Sequence, residues 1–162
     1  MAELTMLEDK IGEVIGLAMA SKGATDKCLK FVDDPRVAKS VQKMHDDAAK
    51  VEDLGTELVS SYTGKKTAIL EKARETKTEV VDMMNTYLGD KPDALDCLEF
   101  LTMAEAGEVG HWRVVQTMNE QVHDRELQEL IDFVLPMQEE HFQLTLSGSQ
   151  LLAAEEDAKA PA

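Results

Sequence analysis

In every long segment of this 162-residue chain, apolar residues return at steps of three and four, and no stretch alternates convincingly as a strand. The segment from Glu99 to Val115, EFLTMAEAGEVGHWRVV, shows both the rule and its interruption. Leu98, Leu101, Glu105, Glu108, Trp112 and Val115 fall on one helical face, so two carboxylates stand where the pattern calls for apolar side chains.

Four further segments carry stripes of the same kind. The first helix is expected from about Leu4 to Val32, with Leu7, Ile11, Val14, Ala18 and Cys28 on its inner face. Asp34 and Pro35 form a start signal for the second, which carries Val37, Val41, Met44, Ala48, Val51 and Leu58 and stops near Gly64. The third places Ile69, Ala73, Val80, Met83 and Tyr87 inward and stops at Gly89. The fourth opens at DKPD, and the fifth opens at Asp124 with Leu127, Leu130, Val134, Met137, His141 and Leu144 on one face. Pro136 within the fifth predicts a kink or a fresh start. His123 falls in a connection and is expected to face solvent.

The palette suits this reading. Aromatic residues make up 4% of the chain against nine methionines, which leaves packing to aliphatic side chains that favour helices. An antiparallel four-helix bundle with one additional helix between the second and third bundle helices is the expected fold, as a single domain over 1–152 with a loose tail at 153–162. A net charge of -15 argues against a nucleic-acid or anionic-membrane partner, because either needs clustered Lys and Arg. No apolar run is long enough to span a bilayer, the N-terminal residues lack a signal-peptide pattern, and Cys28 and Cys97 form no CxxC pair. A soluble cytoplasmic protein is expected.

The polar residues on the apolar faces carry what chemistry there is. A buried, ionised carboxylate without a partner costs several kcal/mol, so Glu105 and Glu108 need a cation, a proton or water. No Lys or Arg lies on the stripes, whereas His45, His111 and His141 lie on or beside them. Carboxylate oxygen and neutral imidazole are good ligands for iron, manganese and zinc. Glu108 and His111 form a Glu-x-x-His pair, and Glu140 could reach the same centre as His141. His45 and Glu52 stand two turns apart beside the second stripe, where either could serve as a ligand. The plainer alternatives are a seam that widens into a water-filled pocket or a stripe rotated from the one drawn here. Gly107 and Gly110 each cost about 1 kcal/mol in a helix interior. They point to a close approach or a local distortion near a site, or else to tight packing against the small residues of IGLAMA.

The arrangement of EAGEVGHW on the fourth helix and QEEH on the last resembles the ferritin-like superfamily. GKKTAILEKARETKTEVVDMM resembles the connecting helix of its YciF-like group of small stress-associated proteins. That resemblance implies Glu and Glu-x-x-His ligands on four helices around two metal ions, iron above all, together with self-association. It would make the chain an iron-handling stress protein or a di-metal oxidoreductase of ferroxidase or peroxidase type. Glu108 with His111 matches one Glu-x-x-His; Gln138 stands three residues before His141 and Gln42 three before His45, which breaks the others. On the first helix the matching ligand is Glu13 or Glu8. The competing reading is a non-catalytic helical bundle that acts through self-assembly or partner binding, its inward polar groups being a degenerate site.

Overall fold

Capping side chains set where four of the five helices begin. The computed structural model describes residues 2–161 and contains five helices: α1 (Met6–Cys28), α2 (Pro35–Ser60), α3 (Lys66–Leu88), α4 (Ala94–Val122) and α5 (Arg125–Ala153). Thr5 with Glu8 and Asp93 with Asp96 form reciprocal capping boxes at α1 and α4, while Asp34 and Asp124 cap α2 and α5. Gly64 and Gly89 take positive φ in the turns beside α3, a region that only glycine enters without cost. Residues 154–161 form no helix. Met1 and Ala162, the outer ends of the expected domain and tail, lie outside the described residues. Among the described residues there is no strand, and no helix is long and apolar enough to cross a membrane.

The contacts fix the direction of each helix. Lys22 meets Glu52 and His45 meets Asp26, so α2 runs antiparallel to α1. Gly12 abuts Ile69 and Lys72, Gly16 abuts Thr76, and Lys27 reaches Asn85, so α3 runs parallel to α1. Glu13 beside His111 and Cys28 beside Cys97 set α4 antiparallel to α1. Leu98 beside Gly148 and Asp47 beside His141 make α5 antiparallel to both α4 and α2. Helices α1, α2, α5 and α4 thus touch in turn around a common interior, and α3 rides on α1. The close approach of α3 depends on Gly16, where a Cβ would stand 2.7 Å from that of Thr76.

Three expectations change. On α3 the buried positions are Ala68, Ile69, Ala73, Thr76, Met84 and Leu88, whereas Met83 and Tyr87 are exposed. The outlying helix has one narrow face to bury, and its inner edge passes to Met84 and Leu88. On α5 the expected Leu127, Leu130, Val134 and His141 are buried, but beyond Val134 the buried line runs through Gln138, Thr145, Gly148 and Leu152. There it lies one residue round from the expected stripe, so Met137 and Leu144 are only half-buried. Pro136 neither ends nor restarts α5, and both it and Asp132, the residue four before it, are exposed.

Candidate functional site

The interior is divided in two. One apolar cluster gathers Ile11, Val14 and Ala18 with Val51, Leu58, Trp112, Val115, Leu127 and Ile131. The other gathers Cys28, Val37, Val41 and Met44 with Cys97, Leu98, Leu101 and Leu152. Each of α1, α2, α4 and α5 passes from one cluster to the other, and polar side chains stand at the crossing: Ser21, Asp47, Glu105 with Glu108, and Gln138 with His141.

Glu105, Glu108 and His141 are each only 2% exposed. Ser21 Oγ donates to Glu108 Oε1, and Gln138 Nε2 donates to Glu108 Oε2. His141 Nε2 lies 2.9 Å from Asp47 Oδ2, and Lys43 Nζ holds the same Asp47 oxygen at 2.8 Å. The other ring nitrogen, His141 Nδ1, faces Glu105 Oε2 at 3.6 Å. That is too long for a hydrogen bond, and Glu105 Oε2 is buried with no hydrogen-bond partner. Gln138 Oε1 is likewise buried without a donor. The layer is therefore rich in acceptors and short of protons to satisfy them.

Electrostatics express the same shortage. Burial, reinforced by the charge of Glu105, pushes the Glu108 carboxyl up to about 8, although Ser21, His141 and Gln138 pull the other way. Glu105 is pushed up by burial against the opposing pull of His141. Burial alone would lower His141, but the facing Glu105 carboxyl and the bonded Asp47 carboxylate carry it above the ordinary imidazole value. Asp47 is only partly buried, and Lys43 and His141 bring it below the usual carboxylate range despite that burial.

The remaining expected ligands lie elsewhere. His111 is 45% exposed, with Nδ1 bonded to the Gly107 carbonyl at 2.8 Å and Nε2 3.8 Å from Glu13. Its position three after Glu108 turns it to the flank of α4, away from the layer. Glu13 pairs with Lys10, and Glu8 closes the α1 capping box. Glu52 pairs with Lys22, His45 sits between Asp26 and Asp46, and exposed Glu140 pairs with Lys43. His123 is exposed in the left-handed residue that ends α4.

Ser21, Asp47 and Gln138 join the layer although none of them stands out as a ligand in the sequence. A signal existed for two of them. Ile11, Val14, Ala18, Ser21, Thr25 and Cys28 keep the three-four rhythm without a gap, as do Val134, Gln138, His141 and Thr145. Gly107 and Gly110 were expected beside a close approach, yet a Cβ at either meets nothing within 4 Å. On α1 it is Gly12 and Gly16 that admit a close neighbour, and that neighbour is α3.

Among the described residues, no three His, Cys, Asp or Glu side chains stand ready-disposed around one ion. Compared with protein-family models, with curated proteins and with solved structures, the chain matches none.

Proposed function

We propose that this chain is a metal-binding helical bundle of ferritin-like kind, holding one divalent transition-metal ion, iron first, in the polar layer between α4 and α5. Two features support the fold part of the reading. Helices α1, α2, α4 and α5 run up, down, down and up. The single long crossover between the second and third of them, here α3, is the connection that ferritin-like bundles use.

The observation that carries the metal reading is the facing of His141 Nδ1 and Glu105 Oε2. With its Nε2–H given to Asp47, the ring turns Nδ1 toward an oxygen that itself lacks a donor, and the raised imidazole marks this as a place that favours a positive charge, supplied by a proton on Nδ1 or by a metal ion in its stead. Two lone pairs aimed at each other repel unless a positive charge lies between them. Adjacent ligands of one ion stand about 3–3.5 Å apart, which the 3.6 Å separation approaches. Glu105, Glu108 and His141 would hold the ion, with Asp47 behind the imidazole fixing its tautomer. Ser21 and Gln138 orient Glu108, and the two apolar clusters keep bulk water away. One ion is favoured over two because Gln138 replaces a carboxylate and His111 lies outside the layer. Bound iron would supply Lewis-acid and one-electron chemistry there.

Elemental analysis of the purified protein, followed by titration with ferrous, manganous and zinc ions, tests the reading. Uptake near one ion per chain with a raised unfolding temperature is expected, since a ligand bound only by the folded state must stabilise it. Trp112, the lone tryptophan, lies one turn from Glu108 and provides a fluorescence report. No uptake and no stabilisation by any of the three ions overturns it.

One observation favours a second reading: both Glu108 oxygens already accept hydrogen bonds, from Ser21 and Gln138. A protonated, metal-free network would then fix the register of the helices. Glu108→Leu separates the two, being tolerated or stabilising under the second reading and abolishing uptake under the first.

A further inference from the structure

The polar layer leaves one pair of nucleophilic side chains unused, at the far end of the interior. Cys28 and Cys97 are the only cysteines of the chain, and the fold brings them together. Cys28 Sγ stands 3.8 Å from the carbonyl oxygen of Cys97, within the cluster that also holds Val32, Val37, Val41 and Leu101. The Cys97 side chain and burial raise the acidity constant of the Cys28 thiol, while Cys28 lowers that of Cys97, an influence that only adjacent side chains exert. Neither is joined to anything: both are free thiols with no exposed surface.

Their places along the helices matter as much as their contact. Cys28 is the last residue of α1 and is followed by the turn at 29–31. Cys97 is the fourth residue of α4, just behind the exposed residues 89–91. Helix ends open far more readily than helix centres. Parting the end of α1 from the start of α4 uncovers both sulfurs in one movement, side by side, and leaves the upper cluster shut. A sulfur oxidised during such an opening therefore meets its neighbour before anything else.

We propose that Cys28 and Cys97 form a peroxide-sensitive latch, closed by a disulfide when hydrogen peroxide meets the parted ends of α1 and α4. The Cys97 thiolate, which the Cys28 thiol stabilises, attacks one peroxide oxygen. The O–O bond breaks, hydroxide leaves and takes up a proton as water, and Cys97 becomes a sulfenic acid. The Cys28 sulfur then attacks the Cys97 sulfur, the S–O bond breaks, and the departing hydroxide leaves as water with the proton of Cys28. Two thiols have lost two electrons, and one peroxide has become two waters. Charge and size select the oxidant. Asp93 and Asp96 precede Cys97 in a chain of net charge -15, which repels a bulky anion such as oxidised glutathione but not a small neutral peroxide. The bond closes a covalent ring that contains all of α2 and α3. As the ends reseat, it is buried where the thiols were, out of reach of reductants. The latch uses no residue of the polar layer and stands apart from the metal reading.

The full chain, folded at pH 7 with a chelator present so that no iron reacts with the oxidant, is treated with millimolar hydrogen peroxide and then with catalase. Digestion without reduction, read by mass spectrometry, is expected to show the peptides of Cys28 and Cys97 linked within one chain and lighter by two hydrogen atoms. The linked protein should unfold at a temperature higher by roughly 5 °C or more, because the ring restricts the unfolded chain. Reductant should open the bond quickly in denaturant and slowly in native buffer. Cys28→Ala should leave Cys97 as a sulfenic acid that dimedone traps, whereas Cys97→Ala should leave Cys28 unmodified over the same time. The wild-type result decides even where a variant fails to fold. The proposal is overturned if the folded chain gains no link between the two cysteines, if they end as sulfinic acids or as links between chains, or if the linked protein unfolds no higher than the reduced one. Any of these would make the pair plain packing residues.

Discussion

His141 on α5 and Asp47 on α2 are joined at 2.9 Å through the imidazole Nε2, and this bond decides which face of the ring the interior sees. The Asp47 carboxylate is itself held by Lys43 at 2.8 Å, so it is charged and fixed in place. An anionic acceptor on Nε2 keeps the proton there and leaves Nδ1 for the buried carboxylates. A side chain at the edge of the fold thereby sets the chemistry at its centre.

Replacing Asp47 by Asn keeps the shape and removes the charge. The Nε2 proton is then held less firmly and the ring orientation relaxes. Metal affinity is expected to fall by about ten- to a hundredfold, the usual effect of losing a carboxylate behind a ligating histidine. Helical content should stay unchanged, because Asp47 is a flank residue and not part of either apolar cluster. Competition with a chromophoric chelator measures the first, and far-ultraviolet circular dichroism the second.

The pH dependence of stability follows from the direction of the shifts. Glu108 moves from an ordinary 4.5 to about 8 on folding, so the folded chain retains a proton that the unfolded chain has lost. Its contribution is complete below about 4.5 and disappears as pH rises through 8. Glu105 and His141, both raised, act in the same sense. Asp47 is lowered and acts oppositely, losing its contribution only at acid pH. The metal-free protein should therefore unfold at progressively lower temperature from pH 5 to pH 9, and Glu108→Gln should flatten that slope. Added metal should reverse the trend, because carboxyl and imidazole groups must release protons to bind it. Thermal melts across this range, with chelator and with metal, measure both.

Two glycines on neighbouring helices should respond in opposite ways to the same substitution. At Gly110 an added methyl meets nothing within 4 Å, so Gly110→Ala gains helix propensity alone. A gain of about 1 kcal/mol is expected, or roughly 2–4 °C in the unfolding midpoint. At Gly16 the methyl would press on the backbone of Ala73 and stand 2.7 Å from Thr76 Cβ. Gly16→Ala should cost about 1–3 kcal/mol by forcing α3 away from α1. A Gly16→Ala protein as stable as wild type would mean that the α1–α3 contact is looser than described.

How far the sequence could be taken differs from helix to helix. On α2 and α4 the spacing of apolar residues identified the buried face residue by residue, with Glu105 and Glu108 on it, because each has one broad face turned to the interior. On α5 the same spacing fitted two adjacent stripes, and Met137 and Leu144 drew the line away from Gln138 and Thr145. Periodicity counts apolar residues, so it discards the polar ones that fill a buried layer. On α3, which has only α1 as a broad neighbour, the pattern carried too little burial to fix the face. Asp47 lay beyond any such reading. It enters the site from a flank, through a partner 94 residues away.

That distance matters at the other end of the interior too, where Cys28 and Cys97 meet although 69 residues separate them. Both are free and fully buried, Cys28 lying with its sulfur 3.8 Å from the Cys97 carbonyl. The Cys97 side chain beside it, together with burial, pushes the Cys28 thiol up, and the neighbouring Cys28 side chain in turn draws Cys97 down. Reactivity toward a thiol reagent needs both thiolate and access, and here access is absent for either sulfur. In the native protein both should label about a thousandfold more slowly than in denaturant, because the apolar cluster around them must open first. Labelling followed by mass spectrometry should show the two cysteines modified together, since opening α1 from α4 exposes both. Rapid modification of Cys97 alone in native buffer would show that the start of α4 opens by itself, and that the lower cluster is not one cooperative unit.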